Sequence, residues 1–347
     1  MVALRWLGGR VSFRVRPKTL GVIVLMALLM TLLWLLSIGI GSYALSMQAL
    51  LDEVMSALGM QGPIADSQAA LVMWELRLPR SLAALLAGGL FALSGALLQN
   101  LTRNPLADPS LVGISQGAAF AVVCLTMLFP EAIDAWREVS AFTGAMVVAA
   151  GVQSLSGSGH PLKFILMGIG VAAFFSALTS SLLTYGDIDA AMSALAWLSG
   201  SVHAVTWSEV GLLSIALLTT LALAIGQARN MAALSFGVDM AVGLGVNSVW
   251  ASRVQLMLSV CAAALATAIV GPIGFVGLLA PHMARKMTIA GPNSHLILTT
   301  LVGASLVLFA DTLGRTLFAP MQLAAGLVTA LIGAPLFALL LMRKQQG

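Results

Sequence analysis

The sequence predicts an all-α, polytopic membrane protein with about ten transmembrane helices and both termini in the cytoplasm. Three observations predict it. Of 347 residues, 59% are hydrophobic and only 9% are charged, whereas an average soluble domain is about 25% charged. The mean hydropathy is +1.00. Basic and acidic residues also segregate to alternate polar breaks between apolar stretches. A soluble chain of this length needs a charged shell that this one cannot build. A soluble enzyme, a nucleic-acid-binding domain and a disordered chain are therefore excluded. The net charge of +4 fits the cytoplasmic bias of basic residues in membrane proteins better than a nucleic-acid partner.

The elements follow in order. The basic N-terminus, residues 1–18, carries Arg5, Arg10, Arg14, Arg16 and Lys18 without an acidic residue. The apolar stretch after it, about 19–45, is too long for a signal-peptide core and lacks a small-residue cleavage site. It reads as a retained first helix. Further spans fall at about 80–101, 111–129, 140–156, 164–184, 210–228, 249–270, 273–284, 296–312 and 322–342. A spanning helix needs roughly 20 apolar residues, so 273–284 reads as a partial helix. The moderately apolar 188–207 reads as a short re-entrant one. Together these use most of the chain, so 1–347 is one transmembrane unit and soluble partners are separate chains.

Charge tests this topology. With the N-terminus inside, the inside segments hold Arg5, Arg10, Arg14, Arg16, Lys18, Arg103, Lys163, Arg229, Arg253, Arg285, Lys286, Arg343 and Lys344 against only Asp108 and Asp239. The outside segments hold Arg77, Arg80, Arg137 and Arg315 against 11 of the 13 carboxylates. Moving the count by one helix scrambles this positive-inside pattern. Gly88, Gly89, Gly95, Gly168 and Gly170 sit in apolar runs rich in Ala and Ser, as close helix packing in lipid requires.

Several chemistries are missing. No G-x-x-x-x-G-K-[ST] occurs, so the chain is not its own P-loop ATPase. His160, His203, His282 and His295 are scattered and form no metal-ligand motif, and Cys124 and Cys261 lie far apart in apolar runs. No metal site or bound cofactor is expected. No carboxylate falls in the middle of an apolar run, which argues against an ion-coupled carrier.

Four features stand out. Arg77-Leu78-Pro79-Arg80 opens the second span on the outer side, with Arg315 at the outer end of the ninth; such a patch suits carboxylates of an external protein, or else snorkelling. Leu101 to Pro109, LTRNPLADP, is a stiff inside turn and a candidate constriction at the inner mouth. The inside segment 229–246, RNMAALSFGVDMAVGLGV, offers apolar residues to a partner's groove or to the membrane interface. Gly271-Pro272-Ile273-Gly274 breaks helix continuity; irregular backbone at membrane depth is tolerated where it is buried in protein or lines a cavity.

The motifs RLPR, LSGALLQNLTRNPLADPSLVGISQGAA, GPIGFVGLLAPHMAR, ADTLGRTLFAP and GLVTALIGAPLF, in this order over about 70–345, resemble the FecCD family. These are permease subunits of type II ABC importers for ferric siderophores, haem and vitamin B12. The resemblance implies a multi-pass permease of the bacterial inner membrane that is not itself an enzyme. It implies a second permease, identical or homologous, and two cytoplasmic ABC ATPase subunits carrying ATP and Mg. It also implies a periplasmic substrate-binding protein, and no nucleic-acid partner. The binding protein would dock on Arg77, Arg80 and Arg315. The ATPases would couple through Met231, Leu234, Ser235, Phe236, Gly237, Asp239, Leu244 and Gly245. Asn104 and Leu106 would form an inner gate, with Gly271, Pro272 and Gly274 on the pathway and a second gate around Pro161 and Leu162. A ferric siderophore is the favoured cargo, with haem or cobalamin as alternatives and an ion-coupled carrier as the reading from another class.

Overall fold

The computed structural model describes residues 2–6, 11–41, 67–157, 161–317, 319 and 321–344. A short antiparallel hairpin, β1 (Val2–Trp6) and β2 (Val11–Val15), pairs Val2 with Val15. It occupies the basic N-terminus, for which no element was expected. The other elements among the described residues are helices. The helices are α1 (Pro17–Gly39), α2 (Ser67–Leu71), α3 (Leu78–Thr102), α4 (Ile114–Leu128), α5 (Ile133–Ser156), α6 (Pro161–Tyr185) and α7 (Ile188–Leu198). They continue with α8 (Trp207–Gly226), α9 (Ala228–Ser235), α10 (Val238–Gly243), α11 (Ser248–Val270), α12 (Val276–Met287), α13 (Pro292–Thr316) and α14 (Ala325–Lys344). Each of the ten spans read from the sequence has its helix, and the re-entrant segment is α7. Among the described residues, seven helices are long and apolar enough to cross a membrane, while 114–128 and 325–338 are shorter apolar helices. The partial eighth span is the 12-residue α12.

Local chemistry sets the helix ends. Proline stands in the first turn of α1, α3 and α13, where its missing N–H costs nothing. Asp187 caps α7, Asn247 caps α11, and Thr206 with Glu209 forms a reciprocal capping box on α8. These side chains satisfy N–H groups that a helix leaves unpaired in its first turn. A π-helical turn, Val72–Arg77, leads α2 into α3.

α3 is the axle of the bundle. It packs against α13, α11, α12 and α8, and Leu90, Leu93, Leu97 and Leu98 on it are fully buried. A second group, α4, α5 and α6, packs on itself and joins the first through α11. In lipid, burying leucine gains little over leaving it against acyl chains, so close packing decides the arrangement. Glycine makes that packing possible. A Cβ on Gly88 or Gly303 would collide with the backbone of the other helix, and one on Gly95 would overlap the Gly277 carbonyl. Between these crossings Ser94 Oγ donates to the Ser259 carbonyl at 2.6 Å, and Ser259 Oγ returns the bond to the Ser94 carbonyl at 2.8 Å. Gly170 differs from the expectation: nothing lies within 4 Å of the position of its Cβ, so it does not pack within this chain.

Gly95→Val forces a side chain onto backbone that cannot yield, and overpacking of this kind costs about 1–3 kcal/mol or more. The variant should lose its monodisperse peak in fluorescence-detected size-exclusion chromatography. Gly211→Ala, with nothing within 4 Å, should leave the peak unchanged. A normal Gly95→Val profile would refute the crossing.

Candidate functional site

The two ends of α3 carry the residues that the sequence singled out. At its first turn, Arg80 makes a forked contact with Asp311 of α13: Nε to Oδ1 is 3.0 Å, Nε to Oδ2 3.1 Å and Nη2 to Oδ1 2.8 Å. Arg80 Nη1 also donates to Gln322 Oε1 at 2.7 Å and to His203 Nδ1 at 3.1 Å. An arginine has no acceptor, so Nδ1 of His203 is unprotonated in this contact. Burial, then the Arg80 charge, hold the His203 imidazole below its usual range, with Asp311 pulling the other way. Arg315, one turn beyond Asp311, lies 3.6 Å from its carboxylate.

The same arginines close the end of α1. Arg315 Nη1 donates to the Ile40 carbonyl at 2.6 Å, and Nη2 reaches both the carbonyl and the hydroxyl of Ser37. Arg77 Nη1 donates to the Ile38 carbonyl at 2.7 Å. A helix ends with unpaired carbonyls and a partial negative charge, and these two guanidiniums satisfy both. Arg77, Arg80 and Arg315 are 7%, 8% and 6% exposed. The three arginines expected to form a basic patch lie together at one end of the bundle, and they are buried because each has an interior acceptor. Asp311, 1% exposed, was not singled out in the sequence. In the run SLVLFAD its carboxylate counts only as one of the outer charges, and only the fold brings Arg80 to it.

The other end of α3 meets the segment 229–246. That segment folds as α9 and α10, joined at Gly237 with φ 111°. Its residues divide. Met231 and Leu234 are buried, and Asn100 Nδ2 donates to the Met231 carbonyl at 3.2 Å, fixing α9 to the last turn of α3. Ser235, Phe236, Asp239, Leu244 and Gly245 are exposed, with Phe236 at 75%. Val238, Met240 and Val242 extend this into an apolar ridge. Met231 and Leu234 anchor the helix pair, Gly237 is buried at its joint, and the exposed residues present a surface.

The loop after α3 holds Asn104 and Leu106. Asn104 Oδ1 accepts the Leu106 N–H at 2.9 Å, which makes the turn. Asp108 then folds inward. It accepts the Ser110 N–H at 2.8 Å and the Leu278 N–H near the start of α12, so one carboxylate caps two helical turns. Burial raises its pKa, and these hydrogen bonds oppose the rise. Asp108 is a structural keystone that the sequence placed in a motif but gave no role. Pro161 and Leu162 begin α6; residues 158–160 before them lie outside the described residues.

Gly271, Pro272 and Gly274 stand elsewhere, in the break between α11 and α12. Here three chain breaks converge. Ser201 N–H donates to the Val270 carbonyl at 2.8 Å, and Gly326 N–H to the Gly200 carbonyl at 2.9 Å. Gly200 and Gly271 have φ of 70° and 72°, which side-chain-bearing residues rarely adopt, and a Cβ on either would strike the facing backbone. The ends of α7 and α11 and the start of α14 are thus tied by backbone alone. This junction borders a cavity lined by Arg80, Trp197, Ser201, His203 and Gln322. The inner-mouth residues Asn104 and Leu106 are not among those lining it. No group of three metal-ligating side chains occurs among the described residues.

Residues 28–343 match the FecCD transport family. The chain is 36% identical over 345 residues to the achromobactin transport system permease protein CbrC of Dickeya dadantii, covering 99% of this chain and 97% of that one. It is 37% identical to the Fe(3+)-citrate import system permease protein YfmE of Bacillus subtilis, over 96% of this chain and 98% of the relative. It is 38% identical to the ferric enterobactin transport system permease protein FepD of Escherichia coli, over 80% and 83%. Among solved structures, a metal-chelate type ABC transporter in an inward-facing conformation superposes with a TM-score of 0.81 at 30% identity, over 93% of this chain and 99% of that one.

Asp311→Asn leaves Arg80 and Arg315 buried with less compensation. Breaking a buried pair costs roughly 3–5 kcal/mol, so the variant should melt well below the parent in a thermal size-exclusion assay. It should also free the end of α1, Ser37 to Ile40, for limited proteolysis. An unchanged melting midpoint would show that the pair does not hold this end together.

Proposed function

Because the chain belongs to the FecCD transport family, we propose that it is the membrane permease of a binding-protein-dependent ABC importer for a ferric chelate. It sits in the bacterial inner membrane with the α9–α10 end in the cytoplasm. The relatives named above carry achromobactin, ferric citrate and ferric enterobactin in their names, which supports a ferric siderophore or citrate complex over haem or cobalamin. The chain performs no bond chemistry. ATP and Mg belong to two ATPase subunits on separate chains.

The observation that carries the reading is the exposed apolar ridge of α9–α10, anchored through Met231 and Asn100 to a buried helix whose far end holds the ionic network. An ATPase groove closing on Phe236 and its neighbours pushes on the last turn of α3. At about 1.5 Å per residue, the 25 residues of α3 carry that displacement nearly the full depth of a bilayer. At the periplasmic end, carboxylates of a loaded binding protein compete with Asp311 for Arg80 and Arg315, so docking loosens the contacts that hold α1. A second permease packs on α6, whose exposed face carries Gly170, Ala173, Ala177, Ser180 and Ser181, small residues that allow close approach in lipid. The pathway runs past the junction at Gly271, Pro272 and Gly274, with Asn104 and Leu106 at its inner mouth.

Phe236→Asp should leave the fold intact, since the side chain is exposed. It should reduce co-purification of the ATPase subunit at least roughly tenfold, as loss of a central aromatic anchor does. Undiminished co-purification would refute the docking ridge. The transport reading is tested in proteoliposomes holding the chain with its ATPase and loaded binding protein. ATP-dependent uptake of labelled ferric citrate or ferric siderophore, exceeding that of haem and cobalamin, is expected. Uptake of cobalamin or haem alone would overturn the cargo assignment.

A further inference from the structure

Between the end of α3, the end of α5, the start of α6, the joint of α9 with α10 and the start of α11 lies a cavity of about 170 Å³. Arg103 and Arg253 both line it. Both are exposed, and among the described residues neither guanidinium makes a hydrogen bond or an ion pair. No carboxylate lines the cavity. Of the two acids at this end, Asp108 is buried on Ser110 and Leu278, and Asp239 is exposed outside it. The polar wall continues with the hydroxyls of Ser248 and Ser252, while Phe164 and Leu256 supply an apolar side. Arg103 has φ 52°, in the left-handed region, and its Nη1 lies 3.4 Å from where a Cβ on Gly237 would stand.

Two unpaired cations facing one small cavity repel each other unless an anion joins them. Guanidiniums favour phosphate oxygens, which they hold through paired hydrogen bonds. An inorganic phosphate would use the arginines and hydroxyls but leave the apolar wall unmatched. A phospholipid uses both, with its phosphate between the guanidiniums and an acyl chain along Phe164 and Leu256. The position at the ends of membrane helices is also where basic pockets meet headgroups. We propose that this cavity binds the headgroup of an anionic phospholipid, which braces the joint between α9 and α10 against the end of α3. The proposal requires only that the chain crosses a membrane, and it does not depend on the transported cargo.

The test uses the full-length chain, purified in detergent micelles doped with either phosphatidylglycerol or phosphatidylcholine, with retained lipid counted by native mass spectrometry. The parent should retain phosphatidylglycerol preferentially. Arg103→Gln with Arg253→Gln should reduce that preference roughly thirtyfold, since each arginine near an anionic headgroup contributes about fivefold. Arg253→Gln alone should show the single-site loss and serves if the double variant does not fold. Equal retention of the two lipids, or a preference unchanged in the variants, would overturn the proposal. Complete displacement of phosphatidylglycerol by 10 mM inorganic phosphate, about a hundred times a typical lipid concentration in such samples, would assign the cavity to free phosphate instead.

Discussion

A single carboxylate holds one end of this protein together. Asp311 is almost fully buried, and a charge in so dry a place persists only when it is paired and hydrogen-bonded. Arg80 supplies the pairing from α3 and Arg315 from the next turn of its own helix. Those two cations in turn exceed the charge of Asp311. The surplus falls on the last carbonyls of α1, where the helix end is partially negative. The first helix, little buried along its apolar length, is thus fixed at its end by these polar contacts together with the packing of Ile38 on Met73 and Leu78. Removing any member leaves the others uncompensated, which is why three helices depend on one side chain.

The same logic of satisfied polar groups runs down α3. A helix enclosed on all sides cannot send a side chain to water, so each polar residue on it marks a contact. Ser94 meets Ser259, Gln99 meets the Gly277 carbonyl at 3.2 Å and also receives Arg285, and Asn100 meets Met231. Between them the glycine crossings bring backbones too close for any rearrangement short of sliding or tilting. Such a helix transmits displacement because it has no compressible layer around it. At the backbone junction of α7, α11 and α14 and at the α9–α10 joint, by contrast, glycine conformations rather than side chains define the geometry.

The helices themselves were legible in the sequence. Apolar length and the side-to-side alternation of charge located all ten, because the bilayer imposes both constraints on every segment separately. The short α7 and α12 were legible for the same reason, as apolar runs too brief to span. What the sequence could not give was the fate of its outer arginines. Positive charges at the outer end of a span look alike whether they face water or an interior acceptor. The acceptors here, Asp311 and the carbonyls of Ser37, Ile38 and Ile40, are remote in sequence or belong to the backbone. Phe236 and Met231 show the same limit on a smaller scale: five residues apart, they lie about 140° apart around a helix, and the contact of the Met231 carbonyl with Asn100 on α3 sets which face turns inward. The N-terminal hairpin did leave a signal, since Val11-Ser12-Phe13-Arg14-Val15 alternates apolar and polar after Gly8-Gly9, but the basic charge of the stretch points to topology instead.

The buried network also bears on how an external protein could be sensed. Arg77, Arg80 and Arg315 bring three guanidiniums to one end of the bundle, where Asp311 pairs with Arg80 and Arg315. His203 adds no further cation in this contact, since accepting from Arg80 uses its Nδ1 lone pair. A contact that engages Arg80 must weaken its fork to Asp311 or share it. Either change alters the balance at Arg315, and through Arg315 the end of α1. An external protein docking as proposed above would thus need no new lever: it would act on the compensation that already keeps the buried charges in place.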